Sequence, residues 1–215
     1  MRDVIRYPDG GWAELVGNDL ALDLVNTVSW RRDPERRVDR LADVAALLHW
    51  CGVAAVLDPQ TRRRLARQAE GDPAAGATAL ERVRELRELL YDVLLPLAVG
   101  DQPQLPAVRG LHALLLDSLR RVEVVSLLPL EWAADPGDLG DLPDRFAVHA
   151  WRLLERGDVD RLRECQGAGC GWLFLDRSRN GARIWCSSND CGNRSRVRRH
   201  YQRQHGPRDE SVAPE

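Results

Sequence analysis

Four cysteines near the C-terminal end fall into two pairs, Cys165-x4-Cys170 and Cys186-x4-Cys191, with fifteen residues between the pairs. Thiolates are soft ligands, and two short-range pairs joined by a hairpin-sized spacer suit a closed tetrahedral site. Each pair clamps one side of an ion, and the spacer brings the clamps together. Four sulfurs favour zinc or an iron–sulfur centre. Nothing else in the chain points to redox chemistry, so the expectation is Zn2+ held by Cys165, Cys170, Cys186 and Cys191. Such an ion has no open position for a substrate and is structural. Two disulfides, or four unrelated thiols, are the alternatives. Cys51 lies alone on an apolar stretch and reads as an ordinary buried thiol. The five histidines (49, 112, 149, 200 and 205) show no metal-binding spacing.

Directly behind the second pair, "CGNRSRVRRHYQR" packs five arginines into thirteen residues. On a helix starting near residue 192, Arg196, Arg199 and Arg203 fall on one stripe, with Arg194 and Arg198 flanking the opposite side. Val197 and Tyr201 occupy that opposite side and are expected to pack on the cysteine module. Arg177, Arg179 and Arg183 add charge from the spacer. The planar fork of arginine suits phosphate oxygens and guanine edges, so these eight residues are the candidate nucleic-acid contacts. A solvated charged face balanced by acids elsewhere is the bland reading.

The elements that must position these groups follow from local signals. "GWLFLD" (171–176) and "ARIWC" (182–186) read as two strands joined by "RSRNG", whose Asn-Gly favours a tight turn. A helix then starts near Cys191. Trp172 and Trp185, on the two strands, are expected to cover the metal site. Upstream the pattern is helical over 18–28, 39–52, 58–71, 73–95, 105–120 and 143–157, with aspartates or asparagine as caps and with Pro96 expected to end or kink the longest helix. "RRVEVVSLLPLEW" (120–132) is the best strand candidate in that half. The fold class expected is therefore mainly α: a helical N-terminal domain with one or two short strands over 1–157, a small treble-clef or zinc-ribbon-like module (β-hairpin and helix) over 160–205, and a disordered tail at 206–215.

Composition narrows the partners. The 215 residues carry a formal net charge of -2, and all 31 basic residues are arginine. Residues 177–208 nevertheless hold nine arginines against a single acid, Asp190. No stretch reaches the roughly 18 apolar residues of a membrane helix. The first residues lack the apolar core of a signal peptide. The expectation is a cytoplasmic protein with no membrane partner. No nucleophile elbow, phosphate-cradling glycine loop or paired carboxylates stand out, so no enzyme is expected.

The stretch "CQGAGCGWLFLDRSRNGARIWCSSNDCGNRSRVRRHYQRQ" resembles the CGNR zinc-finger family, whose tetrapeptide stands here as Cys191-Gly192-Asn193-Arg194. Upstream, "LALDLVNTVSWR" (20–31) resembles the start of the ABATE domain that precedes this finger. The resemblance implies a bacterial, stress-linked transcription regulator with a ligand-sensing N-terminal domain and a nucleic-acid-binding finger, DNA favoured over RNA. A homodimer would suit such a regulator. An adaptor that docks proteins through the zinc module, or an RNA-binding protein, is the alternative. Asp23, Asn26 and Thr27 share one helical face and, with Trp30, Arg31 and Trp132, are the candidate lining for a small-molecule effector. Capping and core roles are the competing reading for these residues, as they are for Trp12 and Trp50.

Overall fold

The computed structural model describes the backbone of residues 4–6, 12–132 and 137–205, and side chains within 15–132 and 137–204. The tail 206–215 and the side chain of Trp12 lie outside the described residues. Seven α-helices run along the described chain: α1 (Leu20–Val25), α2 (Val44–Val53), α3 (Pro59–Gly71), α4 (Pro73–Ala98), α5 (Leu105–Arg121), α6 (Leu142–Glu155) and α7 (Cys191–His205). Four two-stranded antiparallel sheets accompany them: β1 (Val4–Arg6) with β2 (Trp12–Glu14), β3 (Val28–Ser29) with β4 (Val38–Asp39), β5 (Val124–Leu127) with β6 (Leu130–Trp132), and β7 (Leu162–Glu164) with β8 (Leu173–Leu175). The fold is mainly α, as its sequence patterning requires.

Local chemistry explains most helix starts. Asp43, Asp58 and Asp72 each accept a backbone N–H of the first turn of α2, α3 and α4, and proline opens α3 and α4, where its missing N–H costs nothing. Pro96 does not end α4; it sits inside the last turn. At 26 residues α4 is about 39 Å long and forms the spine. Its face of Leu80, Val83, Leu86, Leu90 and Leu94 is buried, with α1, α2, α3, α5 and α6 packed around it. Trp50 on α2 meets Phe146 on α6 inside this core, with ring centroids 5.6 Å apart.

Two regions expected as helix are shorter or different. The 18–28 segment is helical only over α1, and the 39–52 segment only from Val44 onward, because β3 and β4 bracket the loop 30–37. That loop is bolted to the spine by charge. Arg87, 2% exposed on α4, donates to both Asp39 carboxylate oxygens at 2.7 Å and to Glu88, and Arg31 makes a two-pronged pair with Glu88. Burial disfavours both carboxylates, yet Arg87 at Asp39 and Arg31 at Glu88 outweigh it and hold their pKa values below the usual range.

The C-terminal hairpin is not the one the Asn-Gly signal predicts. Strand β8 pairs with β7, in the register Leu162↔Leu175, Arg163↔Phe174, Glu164↔Leu173, and residues 182–186 form no strand. Both edges of β8 are taken. On the side away from β7, the Asn26 carboxamide donates to the Leu173 carbonyl at 2.8 Å and accepts the Leu173 N–H at 2.9 Å, while the Gly17 carbonyl accepts the Leu175 N–H. Buried Asp176 then folds 177–183 into a loop by accepting the N–H groups of Ser178 and Arg183. The turn exists, with Gly181 at φ +60°, but the chain leaving it has no strand edge to join.

Leu162, Trp172, Leu173, Phe174 and Leu175 therefore belong to the same continuous core as Leu22, Leu24 and Leu86. Asn26→Ala strands a donor and an acceptor of buried β8, at about 1–3 kcal/mol for each group. We expect a loss of about 3 kcal/mol in urea unfolding, with far-UV circular dichroism and tryptophan fluorescence shifting together. Separate transitions would show that the two halves fold independently.

Candidate metal centre and nucleic-acid interface

The turn between β7 and β8 carries the first cysteine pair, and the start of α7 carries the last ligand. The Sγ atoms of Cys165, Cys170, Cys186 and Cys191 all lie within 4.8 Å of one another, and all four residues are buried. Cys170 Sγ and Cys186 Sγ are 3.8 Å apart, and Cys186 Sγ and Cys191 Sγ 3.5 Å. A tetrahedral ion with sulfur bonds of about 2.3 Å needs sulfur–sulfur edges of about 3.8 Å. The donor set fits such an ion. None of the four forms a disulfide.

The surroundings are built for thiolate. The backbone N–H groups of Gly167 and Cys186 point at Cys165 Sγ, at 3.4 and 3.2 Å. Contacts among the thiols, that with Cys170 first, hold the Cys165 pKa below the ordinary thiol range, and the same contacts hold those of Cys170 and Cys186 above it. A Cβ on Gly167 would lie 2.7 Å from Cys191 Sγ, so only glycine lets the knuckle close. Cys51 is buried on α2 and is not one of the four clustered thiols, and burial pushes its thiol pKa up.

The tetrapeptide 191–194 opens α7. Cys191 supplies a sulfur, and Gly192 presses under the Trp185 ring, where a Cβ would meet Cδ1 at 3.1 Å. Arg194 donates to Cys191 Sγ at 2.9 Å, pairs with Asp190, and lies 4.5 Å from the centre of the Trp30 ring. Residues 161–204 match the family described as CGNR zinc finger. Residues 18–157, more than half of the chain, match ABATE, described as "Putative stress-induced transcription regulator". The chain belongs to the ABATE family and carries a CGNR zinc finger. No curated protein matches it.

Within the CGNR finger the eight arginines divide by environment. Arg183 is half-buried: it donates to the carbonyls of Val16, Trp185 and Cys186 and lies 4.0 Å over the Phe174 ring. Arg194, itself exposed, is tied to Cys191 Sγ and Asp190. Arg177, Arg179, Arg196, Arg198, Arg199 and Arg203 are exposed, and Arg196 donates to the Ser188 carbonyl. Val197 and Tyr201 are not buried against the finger but 61% and 64% exposed. After Gly192, α7 stands clear of the body, with only Ser195 half-buried among its described side chains. Trp172, Leu173, Phe174 and Leu175 of the finger are already buried in the core shared with the ABATE domain, and Val197 and Tyr201 stay outside it.

The residues proposed to line an effector pocket sit elsewhere than one cavity. Asn26 grips β8. Thr27, 2% exposed, donates to the Leu24 carbonyl, and Arg31 is committed to Glu88, to the Val25 carbonyl and to the Tyr91 ring at 4.1 Å. Trp132 lies half-buried on β6, on a hairpin of its own, and Trp50 is core. Sequence reasoning missed Asp176, Asn18, Arg32 and Glu164. Asn18 donates to the Leu175 carbonyl, and Arg32 makes a two-pronged pair with Glu164 on β7. The partners of Asn18 and Arg32 are about 130 residues or more away, where no local spacing announces them, whereas those of Asp176 are Ser178 and Arg183 in the loop that follows it.

Asp23 accepts the Gly17 N–H at 2.8 Å, and burial pushes its carboxyl pKa up to about 7 against that hydrogen bond. The folded state then holds its proton more tightly than the unfolded chain, so this group's contribution to stability falls as pH rises from about 4 to about 7 and is level above that. His149 works the other way: burial lowers its pKa to about 4, so its contribution is lost as pH falls from about 6.5 toward 4. Asp23→Asn keeps an acceptor for Gly17 and removes the titration. The variant's melting temperature minus that of the wild type is expected to grow from pH 4 to 7; a difference independent of pH would refute the raised carboxyl.

Proposed function

We propose that this protein is a non-enzymatic transcription regulator whose CGNR finger, stapled by one structural Zn2+, binds nucleic acid through α7, with duplex DNA preferred to RNA. The observation that carries the reading is the state of α7. It is a 15-residue helix, about 22 Å long, anchored at its first turn by Cys191 and Gly192 and exposed beyond it, with Arg196, Arg198, Arg199 and Arg203 distributed around it. Beyond its first turn the helix is exposed, with arginines outnumbering its apolar residues Val197 and Tyr201, and a major groove about 12 Å wide accepts one such helix whole. Arg177 and Arg179, on the exposed loop, extend the charge toward flanking phosphates. The metal fixes the direction in which the charge points, and zinc suits four thiolates with no redox role. The ABATE domain supplies effector sensing, and a homodimer would place two α7 helices on adjacent half-sites. Among the described residues no helix is long and apolar enough to cross a membrane.

Fluorescence anisotropy of the zinc-loaded chain on duplex DNA and on structured RNA, across a salt series, tests the reading. Contacts to phosphate give log K falling with log salt at about -0.9 per phosphate on DNA and about -0.7 on single strands. Absence of binding to either polymer by folded, metal-loaded protein would favour a protein-docking adaptor, whose affinity would vary little with salt.

A further inference from the structure

Nine of the twelve large apolar side chains exposed among the described residues fall between Val99 and Leu130. Most of them belong to two neighbouring elements. On α5, Leu105, Val108, His112 and Leu116 recur at spacings of three and four, which puts them on one face of the helix. Leu105, Val108 and Leu116 on that face lie open to solvent. Beside it runs an apolar groove of about 390 Å³, lined by Val93, Val108, Leu111, Leu115, Trp151 and Leu154. The β5–β6 hairpin follows α5 directly and presents Val124, Val125, Leu127, Leu128 and Leu130, with Leu127 74% and Leu128 95% exposed. No other strand among the described residues pairs with it, and a two-stranded hairpin without a covered apolar face is marginal in water.

We infer that the outer face of α5 and the β5–β6 hairpin bind a second copy of this chain, the two α5 helices packing antiparallel about a twofold axis near Leu116. A twofold contact has to be complementary to itself, and the order of residues here is. Arg109 stands seven residues before Leu116 and Glu123 seven residues after it, so Arg109 of each copy faces Glu123 of the other. Both side chains are exposed, and among the described residues neither makes a hydrogen bond or ion pair. The same order sets Leu105 and Val108 against Leu127 and Val124, and Leu116 against its own copy. Each hairpin then lies over the groove beside its partner's α5. The exposed apolar side chains of the stripe and hairpin come to roughly 400 Å² per chain, at about 60–120 Å² for a whole Val or Leu. A standard interface takes about 800 Å² per partner, a little over half of it apolar. For its purpose the dimer rests on the regulator reading, but its formation is measurable without nucleic acid.

Sedimentation velocity of the zinc-loaded full chain is the test. The wild type is expected to form dimers with a Kd below about 10 μM. Arg109→Glu and Glu123→Arg each turn two attractive pairs per dimer into two repulsive ones, and each should weaken the dimer at least about tenfold. Arg109→Glu/Glu123→Arg restores opposite charges across the axis and should bring Kd back to within about threefold of the wild type. Leu127→Ser/Leu128→Ser removes two side chains that the single chain leaves exposed, so it should give a monomer that still melts cooperatively. A wild type that stays monomeric at about 100 μM, single charge variants that dimerise as the wild type does, or a double charge variant no better than the singles overturns the interface. A dimer with the expected charge pattern that binds no nucleic acid leaves the interface standing and the regulator reading refuted; a monomer that binds DNA refutes the interface alone.

Discussion

Removing the metal is expected to unfold the whole chain, not only its C-terminal third. A structural tetrathiolate zinc contributes roughly 10–16 kcal/mol of apparent binding energy near pH 7, while a typical domain has about 5–15 kcal/mol of net stability. The four cysteines and β8 share one continuous core with α1 and α4. Buried β8 also takes its second edge from Asn26 and Gly17. Loss of the ion leaves four buried thiols crowded together and releases the knuckle that holds the 30–37 loop. Cys186→Ser, or strong chelation, should lower the melting temperature by about 20 °C or more, on a scale of about 2–4 °C per kcal/mol for a chain of this size. Far-UV circular dichroism should report loss of helix from the N-terminal region in the same transition. One metal per chain in the wild type, and unchanged metal content in Cys51→Ser, complete the test. A chelated protein with an unaltered melting curve would show that the cysteines do not hold the fold.

The second large effect is reversal of charge on α7. Arg196→Glu/Arg199→Glu/Arg203→Glu changes three exposed side chains, of which only Arg196 makes a described contact, to the Ser188 carbonyl. Stability should therefore hardly change. Affinity for DNA should fall more than a hundredfold, and the salt slope should shrink by about 2.7 if each arginine neutralises one phosphate. The same assay sorts the other arginines. Arg183→Ala and Arg194→Ala remove hydrogen bonds to buried carbonyls and to Cys191 Sγ, so they should cost folding stability with little change in slope. A triple variant that binds as tightly as wild type would remove α7 from the interface.

Much of this was written locally. The two x4 pairs specify the metal centre because a tetrathiolate site is defined by ligand type and short spacing, and the structure brings the four sulfurs together as the spacing requires. Helices α3, α4 and α5 follow from apolar period and, for α3 and α4, from aspartate and proline start signals, all short-range physics. The arginine density behind Cys191 is likewise a property of consecutive residues.

What the sequence could not decide were competitions between partners distant along the chain. The Asn-Gly turn forms, but the Asn26 carboxamide, about 150 residues away, has already claimed the strand edge that a second hairpin strand would need. Val197 and Tyr201 carry the right period for packing, yet they stay exposed while Trp172 to Leu175 of the finger are buried in the core shared with the N-terminal domain. Asn26, Thr27 and Arg31 look like pocket residues by spacing, and tertiary hydrogen bonds make them part of the seam instead. Trp30 does border a cavity, its backbone in the left-handed region beside the carbonyls of Cys170 and Gly169 that take the next two N–H groups. Local composition set the donors and the charges; only packing could choose which edge, which face and which cavity each would reach.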